Sequence, residues 1–139
     1  MSENRDIRWK QRFQNFGLAL KRLGELNELQ IGDLRAIEQE GFVQRFEYTF
    51  ELAWKTAKDY MQDVGIVFTE VSPRTVIKAA FAAGIIDDAQ PFIDMMISRN
   101  LLSHTYDFDK FTQILVDVKI KYLPVLEKFY NFLAEKINE

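Results

Sequence analysis

The chain has 139 residues, of which 47% are hydrophobic and 14% aromatic, enough apolar material for a packed core and too much for a disordered chain. A net charge of −3 argues against a broad basic surface for nucleic acid, so any RNA contact must come from a local pocket or a partner. The absence of cysteine excludes disulfides, thiolate metal sites and a cysteine nucleophile, and fits a reducing cytoplasm.

The first twelve residues are polar and carry no apolar stretch of the signal-peptide kind. No apolar run approaches the ~18 residues that a membrane span needs. The expected location is cytoplasmic, with no membrane contact.

Helical periodicity then runs from end to end. Trp9, Phe13, Phe16, Leu20 and Leu23 follow 4-3-4-3 spacing and lie on one stripe, with Leu26 and Leu29 as its continuation up to Gly32. Gly17 and Gly24 weaken this helix by roughly 1 kcal/mol each relative to alanine and are candidates for close helix contact. Asp33 is the expected N-cap of the second helix. That helix is marked by Phe46, Phe50, Ala53, Ala57, Tyr60 and Val64, with Gly65 as its stop.

Residues 66–71 are rich in β-branched side chains, but a lone strand has no partner, so an extended linker is expected. Ser72-Pro73 supplies an N-cap and a first-turn proline for a short helix that stops at Gly84. Asp87 or Asp88 caps the next helix, whose apolar side is Phe92, Met95, Met96 and Leu102. Asp107 or Asp109 caps a long final helix bearing Phe111, Leu115, Val118, Tyr122, Val125, Phe129 and Phe132. Pro124 should kink it near Ile120. The expected fold is all-α, an up-down antiparallel bundle of four main helices plus a short extra one. No repeat or boundary divides it, so residues 1–139 read as a single domain.

Two acidic clusters, Asp87/Asp88/Asp94 and Asp107/Asp109, could form an oxygen-only metal site, but capping and helix-dipole matching explain them. A ferritin-like site needs Glu-x-x-His, and Leu101 stands three positions before the one histidine, so no metal site is expected. No glycine-rich phosphate loop is present. Glu47 and Glu51, one helical turn apart, could act as an acid/base pair. With Arg45, Lys55 and Lys58 nearby and Glu51–Lys55 in the favourable i,i+4 order, a solvated, salt-bridged face is the expectation.

The chemistry concentrates in Arg99-Asn100-Leu101-Leu102-Ser103-His104-Thr105-Tyr106. An arginine, the only histidine and a tyrosine can clamp a phosphate, move a proton and be modified. Residue for residue, a histidine at a helix C-terminus also suits the helix dipole without any further role. On an ideal helix Arg99 and His104 point about 140° apart. They share a crevice only if the helix ends near Leu102 or Ser103 and the chain turns, as the Asp107/Asp109 cap suggests.

The motif R-N-x-x-x-H-x-Y before a final long helix, together with Gln44–Lys55 (QRFEYTFELAWK) and Ser72-Pro73-Arg74, resembles the HEPN domains. More narrowly it resembles the HepT group, also called nucleotidyltransferase substrate-binding proteins. The resemblance spans nearly the whole chain. It implies a helical-bundle homodimer with the two motifs facing each other, acting as a metal-independent, cofactor-free endoribonuclease toxin. Its antitoxin would be a small nucleotidyltransferase that adenylylates the motif tyrosine. Carried over by position, Arg99 and His104 are the catalytic pair, Asn100 the supporting polar residue and Tyr106 the modified tyrosine. His104 would take the ribose 2′-OH proton, Arg99 would stabilise the phosphoryl oxygens, and the second copy's histidine could protonate the leaving oxygen. The alternative is a non-catalytic substrate-binding subunit of a two-component nucleotidyltransferase; a purely structural dimerisation bundle is a third reading.

Overall fold

The computed structural model describes residues 2–138, and the side chains of residues 7–138. Six α-helical segments follow in order: α1 (Ser2–Gly24), α2 (Ala36–Asp63), α3 (Pro73–Ala82), α4 (Gln90–Leu102), α5 (Phe108–Asp117) and α6 (Leu123–Ile137). A π-turn, Val118–Tyr122, joins α5 and α6 into one long rod. No strand occurs among the described residues, so the all-α bundle is the fold.

Ring contacts set the helix directions. Trp9 meets Tyr60 edge-on at 5.3 Å while Arg45 reaches Arg22 O at 2.8 Å, so α1 and α2 are antiparallel. Along the rod, Thr112 bonds Gln39, Tyr122 stacks on Phe46 and Tyr60 meets Phe132, so α2 and the rod run the same way. Ser98 pairs with Tyr122 and Phe92 with Phe129, which makes α4 antiparallel to the rod. Helix α2 is the centre, packed against α1, α3, α4 and α5. The core it anchors includes Phe16, Phe46, Phe50, Met61, Met95, Leu115 and Leu126, all fully buried. Each such side chain contributes roughly 1.5–3 kcal/mol of apolar burial.

Helix boundaries follow local chemistry. Gly65 (φ +97°) and Gly84 (φ +74°) take left-handed backbone after α2 and α3. At both ends the amide beyond the glycine returns to a carbonyl of the last turn, Ile66 N to Met61 O and Ile85 N to Ala80 O, each 2.9 Å. Ser72 caps α3 as expected, accepting from Thr75 N at 3.2 Å with Pro73 in the first turn.

Three expectations need correction. Asp33 is not the cap of α2: it belongs to a 3-10 turn, Ile31–Asp33, and Arg35 is the N-cap residue, its amide donating to Glu38 Oε1 at 2.8 Å. The first helix stops at Gly24 rather than running toward Gly32, and Leu26 reaches the core from a separate 3-10 turn. The final helix is not simply kinked by Pro124: a π-turn centred on Ile120 absorbs the interruption, and Pro124 falls in the first turn of α6. Of the two glycines proposed for close contact, only Gly17 has it, since a Cβ there would stand 2.9 Å from Tyr130 Cε1.

Candidate functional site

Helix α4 carries the motif, and its ends explain the placement. Asp88 Oδ1 accepts from Gln90 N at 3.0 Å at the start, and Pro91 occupies the first turn. Phe92, Met95, Met96 and Leu102 are buried, which fixes the helix's rotation. The helix ends at Leu102, and tight turns follow: Ser103 N bonds Asn100 O at 3.2 Å and His104 N bonds Leu101 O at 3.0 Å. Asp107 then caps α5, its Oδ1 accepting from Asp109 N at 2.9 Å. The helix stop that the Arg99–His104 spacing requires is therefore present.

Arg99 and His104 sit in different environments. Arg99 is partly buried on α4, its Nη2 3.5 Å from Glu51 Oε1, and its Nε is buried without a hydrogen-bond partner. His104 is exposed on the link, and its imidazole makes no hydrogen bond or ion pair among the described residues. Tyr106 is 99% exposed, and Asn100 is also exposed. No direct Arg99–His104 hydrogen bond exists; what they share is one end of α4.

The expected solvated, salt-bridged face of Glu47 and Glu51 keeps an ion pair, but with a different partner and with both carboxyls partly buried. Glu51 pairs with Arg99 across the α2–α4 contact, and its Oε2 accepts from Trp54 Nε1 at 2.9 Å. Glu47 is partly buried, and desolvation raises its pKa against the opposing pull of the Arg99 charge. The basic residues expected to partner them are occupied elsewhere. Arg45 caps α1 through Arg22 O and Glu25, Lys58 pairs with Asp59, and Lys55 lies over the Trp54 ring. The sequence signal for Glu51 was the indole three residues on, in the stretch that carried the family resemblance; its real partner lies 48 positions away and leaves no periodic trace.

The acidic clusters are structural. Asp88 and Asp107 cap helices, Asp87 pairs with Lys128, and Asp94 accepts from Gln90 Nε2 at 2.8 Å. No group of three His, Cys, Asp or Glu side chains placed to hold a metal occurs among the described residues. A cavity of about 480 Å³ lies elsewhere, between the α3–α4 link and α6, lined by Ile85, Phe92, Phe129 and Phe132. It contains none of the motif residues.

An all-α up-down bundle carrying R-N-x-x-x-H-x-Y across a helix break is the HEPN-like class. The chain belongs to the family described as "Nucleotidyltransferase substrate binding protein like", whose pattern matches residues 11–135. It is a HepT-type member: it is similar to a Haemophilus influenzae protein named "Probable ribonuclease HepT", 30% identical over 73 residues. That alignment covers 50% of this chain and 50% of the Haemophilus protein. The fold is also similar to a crystal structure from Thermus thermophilus, with a TM-score of 0.71 and 28% identity over 89% of this chain and 99% of that one. No described helix is long and apolar enough to cross a membrane.

Proposed function

We propose that this protein is a metal-independent endoribonuclease toxin, with Arg99 and His104 as its catalytic pair and Asn100 in support, regulated by adenylylation of Tyr106. The observation that carries this reading is the helix stop at Leu102, which leaves Arg99 held on α4 and sends His104 into solvent with an unengaged imidazole. A neutral imidazole is a general base suited to accepting a ribose 2′-OH proton. Attack of that oxygen on the adjacent phosphate builds negative charge, which a guanidinium stabilises. The product is a 2′,3′-cyclic phosphate. The family relationship and the name of the Haemophilus relative support the same chemistry.

Tyr106, at 99% exposure, is open to a partner enzyme. Attack of its oxygen on the α-phosphorus of ATP forms a Tyr–AMP bond and releases pyrophosphate, so the partner is a nucleotidyltransferase acting as antitoxin. The added phosphate places negative charge beside the motif and repels RNA. Ile97 and Leu101, exposed on α4 one turn apart beside the motif, support pairing of two copies through this helix. One globular domain working in the cytoplasm suffices for this role.

The test is RNA cleavage in EDTA by the purified protein and by His104→Ala. The wild type is expected to cleave, and the variant to lose roughly 10²–10⁴-fold in rate. Undiminished cleavage by His104→Ala sinks the reading. No cleavage by the wild type, with tight binding to the nucleotidyltransferase, favours a substrate-binding subunit instead. Co-expression with that partner should add AMP mass to the peptide bearing Tyr106.

A further inference from the structure

The proposed cleavage requires a second proton transfer. His104 takes the 2′-OH proton, the 2′-oxygen–phosphorus bond forms, and the phosphorus–5′-oxygen bond breaks. The departing 5′-oxygen must then be protonated, and the chain has one histidine. We propose that Glu47 of the same chain is the general acid for that step, with Glu51 as the residue that positions Arg99. This inference rests on the ribonuclease reading above.

Position is the first argument. Glu51 marks the level of Arg99 on α2, through the 3.5 Å ion pair. Gln39 marks the level of α5, because Thr112 Oγ1 donates to Gln39 Oε1 at 2.8 Å. The chain runs from Arg99 through His104 to Thr112, and in doing so descends α2 from Glu51 toward Gln39. Glu47 lies between those two markers, about 6 Å along the axis from Glu51 at ~1.5 Å per residue, on the side of Arg99 toward His104. Residues four apart share a helix face, so both glutamates face the α4 end of the site.

The two carboxyls differ in how far they are engaged. Both oxygens of Glu51 are engaged, by Arg99 and by Trp54 Nε1. Glu47 has no hydrogen bond or ion pair among the described residues and is partly buried, which favours its acid form. Arg99 from α4 is the charge that opposes this. A bound RNA phosphate would divide the attention of that guanidinium and add negative charge beside Glu47, strengthening its hold on the proton. Paired carboxyls with divergent environments are the usual arrangement for separate acid and positioning roles. After one turnover His104 holds the 2′-proton and Glu47 has lost one to the 5′-oxygen, and exchange with water resets both.

The experiment compares a natural oligoribonucleotide with one whose scissile 5′-oxygen is replaced by sulfur, a leaving group that departs as thiolate without protonation. Glu47→Gln is expected to lose about 10²–10⁴-fold on the natural substrate and to recover to within about 10-fold of wild type on the sulfur substrate. His104→Ala should remain slow on both. Glu47→Asp, which keeps a carboxyl one methylene short, should show the same recovery with smaller amplitude, and serves if the amide disturbs folding. Wild-type rates for Glu47→Gln on the natural substrate overturn the proposal, as does an equal loss on both substrates by both variants. A wild type that cleaves neither substrate overturns the ribonuclease reading itself; the other failures leave that reading standing.

Discussion

The link between α4 and α5 and the π-turn between α5 and α6 both interrupt a helix, with opposite results. The link exposes His104 and Tyr106 and is tied down mainly by its own backbone turns and the Asp107 cap. The π-turn buries Val118 and Tyr122, stacks Tyr122 on Phe46 at 5.6 Å, and bonds its hydroxyl to Ser98 at 2.9 Å. Lys119 also reaches across from the π-turn to Leu29 O in the α1–α2 connection. An interruption at the surface frees side chains for chemistry; one in the core commits them to packing. The two are coupled, because Ser98 precedes Arg99, so the buried interruption helps set the position of Arg99 near the exposed one.

Three changes test that contrast, beginning with the most disruptive. Phe46→Ala removes the ring under Tyr122 from a fully buried site and should cost about 3–5 kcal/mol, read by urea unfolding. A loss below about 1 kcal/mol would mean that the π-turn is not held by the core.

Tyr122→Phe keeps the ring and deletes the hydroxyl, leaving Ser98 without that partner, at a cost of roughly 1 kcal/mol at neutral pH. It should also flatten the alkaline limb of stability. Burial raises the Tyr122 pKa above its ordinary value of 10.0, so the folded state holds the proton more tightly than the unfolded state. That contribution is complete below the unfolded pKa and is lost as pH rises through the folded one. An identical alkaline loss in both proteins would assign it to other groups.

The smallest effect is expected in the link. Asp107→Ala removes the α5 cap at an exposed position and should cost about 0.5 kcal/mol, the low end for a lost cap, seen as faster amide exchange in the first turn of α5 with little change elsewhere. Global unfolding at low denaturant would show that the link carries more of the fold than its contacts suggest. Glu47→Gln offers a contrast within the site. A group whose folded pKa is raised loses stability as pH rises, so the amide is expected to hold or gain stability at pH 7 while activity falls.

The helices were legible because their signals are local. Ser72-Pro73, Gly65 and Gly84 act through turn chemistry within a few residues, and the apolar stripes of α1 and α2 repeat every turn. Where a neighbour decided, local signals misled. Asp33 has the chemistry of an N-cap, but the buried Leu26 and the Gln39 contact to Ile31 O set the chain into 3-10 turns first. Glu51 has Lys55 at the favourable spacing, but Arg99 and Trp54 take its oxygens.

By itself the sequence determined that this is an all-α bundle and gathered an arginine, the one histidine and a tyrosine into one linear motif, because helix periodicity and a contiguous octapeptide are both written in short spacings. The tertiary structure decided what surrounds that motif. Antiparallel packing of α2 against α4 brought Glu47 and Glu51 beside Arg99 from half a chain away, and a contact between two helices depends on how their faces meet, which no spacing within either helix records.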